Sequence, residues 1–185
     1  MSENISARDR ILRSAHNLFY RDGIRATGID RIIATASVTK ATFYRHFPSK
    51  NALIKAYLDY RHTLWIDKFA EALERHRGKA EFALDTVSSA LHEWFDSANY
   101  RGCAFINAVV ELDAALPEVG AIAQAHKTAM AQLIGDLLPA SAEREALAGA
   151  VALAIDGAII RAQMDKSPEN ALRTLAVILR ALQTQ

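Results

Sequence analysis

At 185 residues and 51% hydrophobic composition, the chain can bury a sizeable core as one domain or two small ones. A single cysteine excludes an intrachain disulfide, and 8 Gly with 4 Pro and no alternating apolar pattern favour an all-helical protein over a sheet. The formal net charge of +1 is unevenly divided: Met1 to Lys50 holds 9 Lys plus Arg against 4 Asp plus Glu, or +5, and the remainder holds 13 against 17, or −4.

Positive charge is thus concentrated at the N-terminal end, as phosphate binding requires. Met1 to Ser6 is expected to be loose, with Ser6 a cap for a first helix running to about Arg21. Ile11, Leu12, Ala15, Leu18 and Phe19 form its apolar stripe, and Asp22-Gly23 ends it, Gly supplying a left-handed conformation. Thr27 is the expected N-cap of a short second helix, which buries one face through Ile29, Ile32 and Ile33. Ala36-Ser37-Val38 turns the chain, and Thr39 caps a third helix from Lys40 to Phe47. Pro48 disfavours helix at Phe47, while Ser49 can cap the next helix.

Phe43 and Phe47, four apart, share one face of this third helix and are expected to pack on the isoleucines of the second. Lys40, Ala41, Thr42, Tyr44, Arg45 and His46 are left to point elsewhere. Such a set suits DNA. Hydroxyls, cations and a helix N-terminus hold phosphates, Lys or Arg donates to guanine, and Ala or a Thr methyl touches the thymine methyl.

The stretch from Arg25 to Lys50 resembles the DNA-binding domain of the tetracycline-repressor (TetR) family, through T-G-I-D-R-I-I, then V-T-K-A-T-F-Y-R-H-F and the following S-K. One departure is Ser37, where the family usually places Gly; if the position needs a left-handed backbone, Ser costs roughly 1 kcal/mol there. The resemblance implies a three-helix helix-turn-helix domain over residues 1–49 and a helical ligand-binding and dimerisation domain over 50–185, about nine helices in all. It also implies phosphate contacts from Arg25 and Thr27, joined by Thr39, Tyr44, His46 and Lys50, with Lys40, Ala41, Thr42 and Arg45 facing base edges. Tyr44 can serve either role.

Further along, one helix of roughly 27 residues is expected from Lys50 to about His76, spanning about 40 Å. Ala80 to about Ala98 follows, with Phe82, Leu84, Val87, Leu91, Trp94 and Phe95 apolar, then a helix from Cys103 to Leu112 in which Asn107 and Glu111 repeat four apart. G-C-A-F-I-N-A followed by E-L looks like a regulatory domain common in the same family. A helix from Glu118 to about Leu138 precedes Pro139-Ala140-Ser141, with Ser141 the next cap. Ala142 to about Met164 carries Ala150, Ala154 and Ala158 four apart, a small-residue ridge, and Pro168 to about Leu182 carries Leu172, Leu175, Leu179 and Leu182 in near-heptad spacing. By resemblance these last two helices form a homodimer interface of four helices; the alternative is that both stripes pack inside one chain.

Enzyme chemistry is not expected, because no Gly-rich phosphate loop, G-x-S-x-G or H-E-x-x-H occurs. No metal or other cofactor is implied. His16, His62 and His76 sit among charges and read as solvated, and Cys103, without a local activating partner in the sequence, reads as a small buried hydrophobe. Trp65, Trp94, Phe95, Phe105 and Met130 offer apolar lining for a small-molecule pocket, and His92, Asn107, Glu111 and His126 could orient a largely apolar effector. Each of these could equally be core or surface.

The first twenty residues carry charges without a long apolar run, and Ala146 to Ile160 is interrupted and too short to span a bilayer, so a cytoplasmic protein is expected. The function these features support is a dimeric, ligand-responsive transcriptional regulator, most simply a repressor, on a palindromic double-stranded DNA operator. The alternative is a helical small-molecule or protein-binding module without a transcriptional role.

Overall fold

The computed structural model describes residues 5–79, 82–112 and 114–183. Those residues form nine α-helices and no strand: α1 (Ala7–Asp22), α2 (Ile29–Ala36), α3 (Lys40–His46), α4 (Lys50–His76), α5 (Asp85–Phe95), α6 (Ala104–Leu112), α7 (Glu118–Gly135), α8 (Arg144–Asp165) and α9 (Glu169–Gln183). The chain divides into two compact units, Met1–His62 with Ala104–Ile122, and Thr63–Cys103 with Ala123–Gln185, with boundaries falling within α4 and α7. The expected boundary between residues 49 and 50 therefore falls inside the first unit, which also takes in α6.

In the first unit, α1 begins as its sequence dictates: the Ser6 hydroxyl accepts the Asp9 N–H at 3.1 Å. Ile11, Leu12, Ala15, Leu18 and Phe19 are all buried, and α1 packs on both α2 and α3. The cap of α2 differs from expectation. Gly28 occupies the cap position without a side-chain bond, while the Thr27 hydroxyl turns back to donate to the Gly23 carbonyl at 2.8 Å. Thr27 is 0% exposed, so it closes the loop between α1 and α2 from within.

Ser37 ends α2 in the left-handed region, with φ 52° and ψ 52°, and its N–H reaches the Ala34 carbonyl. That geometry is the one glycine adopts without a Cβ penalty. Ser37→Gly is expected to raise the unfolding free energy by about 0.5–1 kcal/mol, the relief of left-handed strain less the extra chain entropy of glycine. Thermal denaturation reads it, and a lowered melting temperature would show that the serine side chain contributes more than its backbone costs.

In the second unit, α5 starts later than the apolar pattern suggests. The helix opens at Asp85 out of a turn in which Thr86 Oγ1 donates to the Ala83 carbonyl at 2.6 Å; Phe82 is exposed, and residues 80 and 81 of the expected helix lie outside the described residues. Likewise α8 opens at Arg144 after Glu143 rather than at a Ser141 cap, and Arg144 Nε instead donates to the Gly135 carbonyl at 2.6 Å, satisfying an end group of α7. Pro168 lies just before α9 rather than inside it.

The helix α8, with 22 residues, is long and apolar enough by length and composition to cross a membrane, contrary to the expectation of too short a stretch. It packs along α9, however, and its Asp156 is ion-paired with Lys127 of α7.

Candidate nucleic-acid interface

The α2-turn-α3 segment sorts its side chains cleanly. Phe43 is 0% exposed and Phe47 is buried beside it, their rings 6.3 Å apart, so one face of α3 is anchored in the core of the unit. Arg8 lies over the Phe47 ring at 5.3 Å, and Arg10 Nε donates to the Ala36 carbonyl at 3.2 Å, tying α1 to the last carbonyls of α2. Thr39 caps α3 as expected, its hydroxyl accepting the Thr42 N–H at 3.1 Å and donating to Thr42 Oγ1 at 2.9 Å.

Held by that anchor, the opposite face of α3 is open. Thr39, Lys40, Ala41, Tyr44 and Arg45 are exposed, and Thr42 and His46 are half-buried. Tyr44 retains 41% exposure although its ring meets Phe43 edge-on at 5.2 Å, leaving the phenol free to project. Lys40 makes one long, solvent-exposed approach to Asp30 at 4.0 Å, a pair too wet to restrain it. Arg25 is exposed in the loop between α1 and α2.

Two of the expected phosphate residues are placed otherwise. Thr27 is buried and spent on Gly23, so its hydroxyl faces the protein. Lys50 Nζ donates to the Ile24 carbonyl at 2.7 Å and lies over the Phe19 ring at 5.9 Å. Burial holds the Lys50 ammonium below the ordinary lysine range, and the charge of Glu111 opposes that shift.

Glu111, read from the sequence as a ligand group, belongs to this unit through α6. Its carboxylate accepts the Arg25 backbone N–H at 2.8 Å, and a Cβ placed on Gly23 (φ 91°) would lie 3.4 Å from its Oε1. Together Glu111 and Lys50 pin the backbone of the α1–α2 loop from either side. No local pattern reveals this bond, because 86 residues separate the partners. Glu111→Ala is expected to cost about 1–2 kcal/mol, as for a hydrogen bond to a charged acceptor in a partly wet site. A urea melt checks this, and an unmoved midpoint would show that the bond contributes nothing.

The remaining expected effector residues divide between the units. Phe105 and Asn107 lie on α6 in the first unit. In the second, Trp65 stacks on Phe69 at 4.7 Å and meets Trp94 at 5.4 Å and the buried His126 at 5.1 Å, while Trp94 continues to Phe95 at 5.6 Å. Met130 is fully buried. His92 is exposed and reaches Asp96 at 3.5 Å, so it sits at the surface of α5.

Two histidine expectations change, and Cys103 is buried as expected. His16 is surrounded by rings, with Tyr60 at 5.3 Å and Tyr57 at 6.0 Å, and His76 Nε2 lies 2.7 Å from Glu93. Cys103 is buried but has a charged neighbour after all: Lys127 Nζ lies 3.5 Å from its Sγ while pairing with Asp156.

The two C-terminal helices also sort differently from the leucine spacing. Leu175 and Leu179 are 1% and 0% exposed and Ala158 is buried, so they pack within the protomer; Ala154 and Leu172 are half-buried and Ala150 is exposed. The apolar side chains left facing outward are Leu153 at 75% and Met164 on α8, with Val177 and Ile178 on α9. Exposed Gly149 and Gly157 lie on the Leu153 face at helical spacing.

Comparison with known proteins matches this geometry to a family. The sequence pattern of the bacterial regulatory proteins of the tetR family covers residues 11–57, from within α1 through α3 into α4. The crystal structure of SCO4454, a TetR-family transcriptional regulator from Streptomyces coelicolor, is 32% identical and superposes with a TM-score of 0.79 over 95% of this chain and 87% of that one. CifR, a TetR family transcriptional regulator solved with a 26 bp double-strand operator, is 19% identical with a TM-score of 0.75, covering 98% of this chain and 99% of its own; at that identity it shows the fold alone. The HTH-type transcriptional regulator UidR of Escherichia coli K12 is 28% identical over 88 residues, 48% of this chain, and the match spans only 44% of UidR. With a helix-turn-helix anchored by Phe43 and Phe47, and with SCO4454 32% identical over 95% of this chain and 87% of its own, the chain belongs to the TetR family of DNA-binding transcriptional regulators.

Proposed function

We propose that the protein is a homodimeric repressor that binds a palindromic double-stranded DNA operator and is released from it by a small, largely apolar effector. The observation that carries this reading is the outward face of α3, where Lys40, Ala41, Tyr44 and Arg45 stand exposed on a helix whose other face is locked by Phe43. Thr39, Tyr44, His46 and Arg25 then hold phosphates, and Lys40, Ala41, Thr42 and Arg45 face base edges. Tyr44 serves either role, and the Thr42 methyl is suited to thymine. Lys50 acts indirectly, by fixing the loop that carries Arg25.

Dimerisation is supported by the outward apolar face of α8 and α9. Leu153, Met164, Val177 and Ile178 are large, exposed and gathered on two helices packed against each other, an arrangement that favours a helical partner over water. A two-fold dimer presents two copies of α3 to half-sites about 34 Å apart on one face of the duplex.

Effector control works by population shift: a molecule that favours a conformation with misplaced recognition helices must weaken operator binding, by about 5 to 150-fold for a coupling of 1–3 kcal/mol. The aromatic group around Trp65, Trp94, Phe95 and His126 is the region suited to an apolar effector, and a cytoplasmic site of action follows from the DNA target.

A salt titration of binding to duplex DNA tests the reading. Several phosphate contacts on each protomer predict that log affinity falls steeply and linearly with log salt. A flat dependence would favour the second reading, a helical binding module that does not act on DNA.

A further inference from the structure

The second unit holds a cleft that the DNA-binding reading does not use. Its volume is about 410 Å³, within the range of small-molecule sites, roughly 300–1,000 Å³. It opens between the segment following α5 and the junction of α8 with α9. Phe95 and Tyr100 supply aromatic wall, Gln163 and Ser167 neutral hydrogen-bonding groups, and Arg101 and Lys166 positive charge. Among the described residues lining it there is no carboxylate.

The cleft is held in shape by specific bonds. Tyr100 Oη donates to the Ile159 carbonyl at 2.7 Å, fixing the ring against α8, and Arg101 Nη1 donates to the Tyr100 carbonyl at 2.6 Å. Gly102, at φ 78°, lets Gln163 approach so closely that a Cβ there would fall 2.1 Å from Gln163 Oε1. Lys166 itself adopts a left-handed conformation, φ 55° and ψ 24°, at the end of α8. A left-handed lysine is uncommon where glycine or asparagine would serve the helix end better, and here it sets a cation at the edge of the cleft.

We propose that this cleft binds a small amphiphilic anion, a carboxylate carried on an aromatic or short aliphatic body. The apolar body lies on Phe95 and Tyr100, and the carboxylate meets the Arg101 guanidinium and the Lys166 ammonium, with the Gln163 amide donating to it; the Ser167 hydroxyl is already spent on Glu169. An uncharged analogue forfeits both charge-assisted bonds, and a bare inorganic anion forfeits the aromatic contact.

The test uses the full-length protein without DNA, so its outcome does not depend on operator recognition. Phenylacetate, phenylacetamide and inorganic phosphate are titrated by calorimetry and by tryptophan fluorescence, since the Trp94 ring lies 5.3 Å from Tyr100 and reports the wall. Phenylacetate is expected to bind saturably, and the amide and phosphate each about tenfold more weakly or worse. Lys166→Asn, which tolerates the left-handed backbone, and Arg101→Gln are each expected to weaken phenylacetate about tenfold at an unchanged melting temperature. Equal binding of acid and amide, affinities unmoved in both variants, or no saturable binding of phenylacetate into the millimolar range would each overturn the proposal.

Discussion

Tyr44→Ala is expected to weaken operator binding by about two to four orders of magnitude while leaving the protein folded and dimeric. A single well-made side-chain contact at a DNA interface is worth about 1–3 kcal/mol, and a symmetric dimer loses it twice. The fold should tolerate the change, because Tyr44 is 41% exposed and the buried anchor of α3 is Phe43. The edge contact between the two rings is lost, a cost of about 1 kcal/mol at most. Electrophoretic mobility shifts on the operator, paired with sedimentation of the free protein, separate the two effects. An unchanged affinity would remove Tyr44 from the interface and move the weight of recognition to Lys40 and Arg45.

Leu153→Asp is expected to convert the proposed homodimer to monomer. Leu153 is 75% exposed in the isolated protomer, so an aspartate there is solvated and costs the folded chain little. In a dimer buried across α8 and α9, the same carboxylate would be set against apolar Met164, Val177 and Ile178 and would lose several kcal/mol to desolvation, twice over. Sedimentation velocity should show half the mass, and operator affinity should fall because two linked half-site contacts become independent. Val177→Asp on α9 is the companion variant. A dimer that persists in both would place the interface elsewhere, whereas the same change at Leu179, buried in the protomer, would simply unfold the chain.

The contrast between Leu153 and Leu179 shows what was legible and what was not. The near-heptad leucines of α9 were visible as a stripe, but a stripe states only that a face is buried. Whether the cover is α8, α5 or a second chain depends on packing that spacing does not encode, and Leu175 and Leu179 went to the protomer core. The outward set was harder to see because Leu153 and Val177 stand among small or polar residues. Thr27 is a similar case: a threonine before a helix suits a cap, yet its hydroxyl donates to the Gly23 carbonyl and Gly28 takes the cap position of α2.

The helix-turn-helix was readable because its signals are local. Thr39 as a cap and the Phe43 and Phe47 pair act within a few residues and appear in the structure as the sequence indicates, whereas the left-handed backbone at Ser37 is suggested only by the glycine that the resembled family places there. The bond from Glu111 to the Arg25 N–H had no such signal. Neither did the cleft at Arg101 and Lys166, whose two cations come from segments some sixty residues apart. Tertiary packing also set charged neighbours that local sequence does not supply, Lys127 beside the buried Cys103 and Glu93 beside His76.

The most direct measurement is selection of bound duplexes from a random DNA pool by the purified protein at moderate salt. A dimer presenting two copies of α3 should recover a palindrome with half-site centres about one helical turn, or 34 Å, apart, and Tyr44→Ala should recover none. Recovery of sequence-blind, salt-sensitive binding alone, or of an unpaired half-site, would contradict the dimeric operator reader proposed for this chain.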